Sequence, residues 1–228
     1  MAEPGWISGK PEFEPDGIAC QFPTHDAVAL RRVCEEQLPT VAPVVCELGC
    51  WTGRSTSIIA GVVYPRGGTL FSVDWFRGSM GAGTDMDAMD VPVLQVFANN
   101  MMVQGFPPNV MVMHNDTAAQ FIKDGVLDMV FIDSDHRYSA VCKDIQCWVR
   151  KVKPGGIIAG HDFEFTLTEL QNNGFGDIDL RAFGEMEYSK PARMRVGLHT
   201  GVIRAVTDYW PEIRIHKEWE TSIWWVRV

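Results

Sequence analysis

The sequence predicts an α/β fold, an open and mostly parallel sheet of seven strands with helices on both faces. Three observations predict it. Five short apolar stretches alternate with segments of helical periodicity, the pattern of successive strand–helix units. The first of them, within residues 44–56 (VVCELGCWTGRST), runs into a glycine turn and then a helix start. That places a pocket of nucleotide size at a strand's carboxyl end. Finally, IRIHKEW (213–219) and SIWWVRV (222–228), parted by a short polar turn, read as a terminal antiparallel hairpin.

The elements follow in order. Residues 1–25 hold Pro4, Pro11, Pro15 and Pro23 and read as an arm without regular structure, packed through Trp6 and Phe13. Thr24 or Asp26 caps a helix to about Gln37, with Val28, Leu30, Val33 and Cys34 on one face. Pro39 and Pro43 keep the following link extended. In the first strand Val44, Val45, Cys46 and Leu48 suit burial on both faces. Gly49 and Gly53 bracket a turn where a missing Cβ permits close approach of a ligand, and Ser55 or Thr56 caps the next helix. Residues 68–75 form a second strand ending in Asp74, where a ribose-binding carboxylate belongs in a nucleotide fold. Residues 77–90, rich in Gly, Met and Asp, read as a loop over the pocket. A helix over 91–102 precedes a third strand, 110–115, with Asp116 and Thr117 at its end, and a short helix over 117–123. The fourth strand, 127–133, closes on Asp133, with Asp135 and His136 beyond. A helix over 138–152 ends at Pro154-Gly155-Gly156, which turns into a fifth strand, 157–160, closing on His161 and Asp162. After Asp162 the pattern loosens until a helix over 200–209.

Composition narrows the function. The 228 residues suit a single domain over 26–228, with 163–198 as an insert that covers the substrate. A net charge of −9 argues against a nucleic-acid backbone as partner. No apolar run approaches the length of a membrane span, and the first residues carry no apolar core of a leader. The six cysteines make no C-x-x-C pair and read as reduced thiols, which suits the cytoplasm; a homo-oligomer stays open.

Residues 47–53 carry Glu47, Gly49 and Gly53 in the arrangement E-x-G-x-x-x-G, which lacks the third glycine of a dinucleotide turn. An acid beside the loop repels a pyrophosphate and attracts an ammonium. This stretch resembles motif I of the class I S-adenosylmethionine-dependent methyltransferases. Residues 131–163, FIDSDHRYSAVCKDIQCWVRKVKPGGIIAGHDF, closely resemble the I-D-x-D-H-x-Y and G-H-D segments of one branch of that family. The branch contains sugar and small-molecule O-methyltransferases and cephalosporin-hydroxylase-like proteins. Together with Asp74 the resemblance covers about residues 40–165; the tail continues it weakly.

The resemblance implies a Rossmann-like class I methyltransferase fold whose last strand inserts antiparallel, and S-adenosyl-L-methionine as cofactor. Glu47, Gly49 and Gly53 would hold its methionine end, Asp74 its ribose, and Asp116 and Thr117 would lie near the adenine, with Trp75 beside it. In metal-dependent relatives an acid at the position of Asp133 and an acidic or acid–amide pair at the positions of His161 and Asp162 hold a divalent ion. His161 departs from the hard-oxygen pattern of magnesium, so magnesium, another ion, or a His161–Asp133 hydrogen bond without an ion all stay open. The expected acceptor is a hydroxyl on a small molecule or sugar. His136 is the candidate base, its ordinary pKa lying near neutrality. Asp133 is also placed beside the cofactor and on the acceptor side, and Asp135 either orients His136 or binds the acceptor. Lys190, Arg193 and Arg195 read as a solvated loop or as a clamp for an anionic acceptor. The alternatives are a nicotinamide-dependent oxidoreductase and a non-catalytic S-adenosylmethionine-binding protein.

Overall fold

A computed structural model describes residues 22–78, 92–186, 188–189 and 197–228. Most of the N-terminal arm, most of the 77–90 loop, and Lys190, Arg193 and Arg195 lie outside the described residues.

Seven strands form one sheet in the order β3-β2-β1-β4-β5-β7-β6. They are β1 (Val44–Leu48), β2 (Thr69–Val73), β3 (Asn109–Met111), β4 (Leu127–Ile132), β5 (Val152–Gly160), β6 (His216–Lys217) and β7 (Trp224–Arg227). The chain moves outward from β1 through β2 to β3, then returns to place β4 on the other side of β1. β7 is antiparallel to both β5 and β6, so it alone runs against the other strands. The reversal of direction beside β1 opens a crevice at the strands' carboxyl ends.

Both faces of the sheet are covered, and strand alternation sorts the side chains. Val45, Met129, Phe131, Ile157 and Ala159 pack with Leu30 and Val33 of α1 (Thr24–Gln37), Ile59 and Val63 of α2 (Arg54–Val63), and Phe97 and Met101 of α3 (Val93–Val103). Their neighbours Cys46, Leu48, Val130, Ile132 and Ile158 pack with α5 (Tyr138–Trp148) through Val141, Ile145 and Trp148. Val202, Ile203 and Val206 of α7 (Thr200–Tyr209) complete that second core. Two short helices, α4 (Asn115–Ala118) and α6 (Leu167–Asn172), follow β3 and β5.

Four local readings of the sequence change. Neither Thr24 nor Asp26 caps α1; Pro23 precedes it, and Asp26 turns inward. Gly53, at φ 96°, opens α2, so Ser55 and Thr56 lie inside its first turn. The third strand stops at Met111 and α4 starts at Asn115, earlier than the helical pattern of 117–123 suggested. β5 begins at Val152 and runs through Pro154-Gly155-Gly156, with its pairing to β4 shifting register between Leu127 and Met129. Gly156 fits there because a Cβ would stand 2.8 Å from the Asp128 carbonyl oxygen.

Candidate active site

The carboxyl ends of β1 and β2 form one wall of the crevice. Glu47 is fully buried on β1. Its Oε2 accepts a hydrogen bond from Thr56 Oγ1 at 2.5 Å, while Oε1 has no hydrogen-bond partner among the described residues. Burial raises its pKa to about 8 against the pull of hydroxyl donors from Ser55 and Thr56; the nearby Asp133 charge adds to the rise. An orphaned oxygen on a buried carboxyl is a ready acceptor for an ammonium, so the residues fit the methionine end of S-adenosylmethionine.

Asp74 follows β2 directly. One of its oxygens accepts from the backbone N–H of Cys50 at 2.8 Å and of Trp51 at 3.0 Å, the other from Phe76 N–H at 2.7 Å. It therefore shapes the glycine turn. Burial raises its pKa, opposed by those three donors. Trp75 packs against His114 with ring centres 4.4 Å apart and the planes tilted by 33°, and its indole donates to Gly78 O. Asp116 pairs with Lys143 at 2.7 Å and accepts from Thr117 N–H; both residues lie in α4, beyond the end of β3.

Gly49 has a use beyond the one expected. At φ 82°, a Cβ there would sit 2.0 Å from the Asp133 carbonyl oxygen. The bare glycine lets the β1 turn close against the end of β4, which brings the two walls together. Three non-glycine residues with positive φ also stand at strand ends around the crevice: Trp51 (46°), Phe76 (58°) and Asp162 (61°). Backbone strain of this kind collects at functional sites.

The ends of β4 and β5 form the second wall. Asp162 Oδ2 lies 2.9 Å from His136 Nε2; Asp162 Oδ1 lies 3.2 Å from Nδ1 of both His161 and His199. Asp133 Oδ1 is 3.5 Å from His161 Nδ1 and 3.8 Å from His136 Nε2. His161 Nε2 meets Asp26 Oδ2 of α1 at 2.8 Å, and Asp26 also accepts from Ser222 N–H and Oγ–H, each at 3.0 Å. Burial disfavours the charged imidazole of His161, but Asp162 and Asp133 outweigh it and hold its pKa well above the usual value. Burial likewise raises the carboxyls of Asp162 and Asp133; the charge of His161 overcomes it and draws both down, Asp162 the further.

Asp133, His136, His161 and Asp162 thus converge as the sequence suggested. Asp135 does not join them: Arg137 takes it through its backbone N–H at 3.0 Å and its guanidinium, so Asp162 is the carboxylate beside His136. Two groups bring three donor atoms within 4.8 Å of one another, Asp133–His161–Asp162 and His136–Asp162–His199. The first fits a divalent ion, since Asp26 on His161 Nε2 leaves Nδ1 facing the two acids, the usual setting of a ligating histidine.

Sequence reading missed His199, Glu164 and Asp26. Glu164 Oε1 lies 2.6 Å from His199 Nδ1, and His199 packs edge-on against His136 at 4.6 Å. Nothing in its spacing marked His199, which lies 37 positions beyond Asp162 after a stretch without periodicity. Asp144, noticed only as part of the long motif, is buried on α5 and accepts from Ser134 Oγ and Asn115 Nδ2, each at 2.7 Å. Burial raises its pKa to about 6, and its bonds fix the loop that follows Asp133.

With that geometry in hand, the comparisons are consistent. The model of the methyltransferase domain family matches residues 46–163, just over half of the chain. No curated protein matches the sequence. A solved protein of Corynebacterium glutamicum is similar in fold, with a TM-score of 0.59 and 9% identity over 90% of this chain and 81% of its own. The O-methyltransferase TomG of Streptomyces achromogenes, involved in tomaymycin synthesis and solved with SAM, gives 0.55 and 12% over 93% and 82%. Cofactor-bound Rv0187 from MTB gives 0.51 and 16% over 90% and 88%. At these identities the likeness to the solved structures is one of fold.

Proposed function

Since the chain belongs to the methyltransferase domain family, within the class I S-adenosylmethionine-dependent methyltransferases, we propose that it methylates a hydroxyl group of a small molecule or sugar. The observation that carries this reading is the polar wall of Asp133, His136 and Asp162, which stands against the Glu47 side of the crevice through the close approach of Gly49 to Asp133.

Glu47 with its unpaired Oε1, Gly49 and Gly53 take the methionine end of the cofactor, and Asp74 its ribose. The Trp75–His114 pair and the residues Asp116 and Thr117 border the adenine side. Bound S-adenosylmethionine supplies a methyl group on a positively charged sulfur, open to in-line attack by an oxygen. The protein's task is to hold that oxygen at about 3–3.5 Å from the methyl carbon and to remove its proton. His136 and Asp133 are the two groups placed to take the proton, and Asp162 fixes the imidazole of His136. A divalent ion held by Asp133, His161 and Asp162 would supply Lewis acidity at the same wall. Among the described residues five cysteines are free and no helix is long and apolar enough to cross a membrane. This suits the proposed cytoplasmic setting and a diffusible acceptor.

A nicotinamide cofactor fits less well, because the buried Glu47 sits where a pyrophosphate would pass. Calorimetric titration with S-adenosylmethionine and with NAD should show binding of the first alone. Incubation with a pool of hydroxylated acceptors should release S-adenosylhomocysteine. Binding of NAD in place of the methyl donor would overturn the reading; donor binding with no release across phenols, sugars and sugar phosphates would favour a non-catalytic binding protein.

A further inference from the structure

We propose that His136, Asp162 and His199 form a binding site for one divalent first-row transition-metal ion at the acceptor wall. The proposal rests on the methyltransferase reading only for what the ion acts upon. Binding itself needs neither donor nor acceptor.

The spacing supports it. Bonds of about 2.0–2.2 Å from a metal to nitrogen and oxygen put neighbouring donors roughly 3.0–3.5 Å apart. His136 Nε2 lies 2.9 Å and His199 Nδ1 3.2 Å from the two oxygens of Asp162, and one donor atom from each residue falls within a 4.8 Å group. The surroundings support it as well. Glu164 Oε1 stands 2.6 Å from the same nitrogen of His199, so its carboxylate adjoins the site as a further donor oxygen. Asp162 is held in a left-handed conformation at φ 61°, with one oxygen toward His136 and the other toward His199.

The donor set chooses the ion. Magnesium favours oxygen ligands in an octahedron, whereas two imidazoles and one carboxylate suit manganese, iron, cobalt, nickel or zinc. His136, Asp162 and His199 come from the segment after β4, the end of β5 and the start of α7, so the site exists only in the folded chain. This group is distinct from Asp133–His161–Asp162, with which it shares only Asp162. With His136 as a ligand, Asp133 remains to take the hydroxyl proton.

The test uses the full chain stripped with a chelator, titrated with Co2+ alone and followed by visible ligand-field absorption. One Co2+ per chain should bind saturably, and a hundredfold excess of Mg2+ should not displace it. His199→Ala should weaken binding more than about tenfold, and Glu164→Gln, which keeps the shape of the side chain but removes the adjoining charge, should weaken it less. Thermal melting of each variant reports on its fold. Absence of saturable Co2+ binding, displacement by Mg2+, or equal affinity in wild type and both variants would overturn the site. Co2+ binding without affinity for S-adenosylmethionine would instead remove the methyltransferase reading and leave the metal site standing.

Discussion

At the ends of β1 and β2 the crevice is built largely from backbone: a glycine turn, its N–H groups held by Asp74, and one buried acid with an open oxygen. At the ends of β4 and β5 it is built from side chains, with Asp162 between three histidines and Asp26 behind one of them. The first wall is contributed by residues close together in the chain. The second draws on α1, the segment after β4, β5, the start of α7 and the terminal hairpin. A wall of backbone suits a ligand common to a whole family, because its shape follows from main-chain geometry alone. A wall of side chains can be altered residue by residue, which suits chemistry peculiar to one acceptor.

Breaking one wall without the other tests that division. The largest expected effect is on turnover. Asp133→Ala should lower it by about 10^2- to 10^4-fold, the range of a lost proton-transfer group. Affinity for S-adenosylmethionine, read by calorimetry, should stay within a fewfold. Equal loss of both would erase the boundary between the walls. Gly49→Ala should instead damage both, because the new methyl group meets backbone at 2.0 Å in a left-handed conformation. A loss of more than about 4 kcal/mol in denaturant unfolding is expected, the scale of a strained or overpacked site. A loss below about 1 kcal/mol would mean that the walls can part.

The smallest effect concerns pH. Glu47 stays protonated in the folded chain up to about pH 8, while in the unfolded chain it ionises above its ordinary 4.5. The folded state thus binds the extra proton between these values, and stability falls as pH rises from about 4.5 through 8. Glu47→Gln removes that dependence and should raise the melting temperature more at pH 8 than at pH 5. The incoming ammonium of the methyl donor should also expel the proton. Calorimetry at pH 7 in buffers of different ionisation enthalpy should then show proton release on binding, lost in Glu47→Gln; its persistence there would place the proton elsewhere.

The alternation of strands and helices, the antiparallel end of the sheet and the gathering of Asp133, His136, His161 and Asp162 were legible because each rests on a local pattern. Periodicity marks an element, and an acid at a strand's end is carried to the crevice by the sheet itself. What stayed hidden depends on long-range contacts. Asp26 reads as a helix cap, and only the folded chain shows it 2.8 Å from a histidine 135 positions away. Asp135 reads as a partner for His136 until the guanidinium of Arg137 claims it. Gly49 reads as room for a ligand, and only the folded chain shows that its Cβ side is taken by the Asp133 backbone at the end of β4.

Asp26 joins Ser222, near the terminal hairpin, and His161, at the end of β5, through a single carboxylate. The first helix and the last strands are therefore stapled together directly behind the chemistry. Should either extremity of the fold peel away on warming, His161 would lose its anchor while the central strands still stood. Heat should accordingly silence such a protein before it melts it.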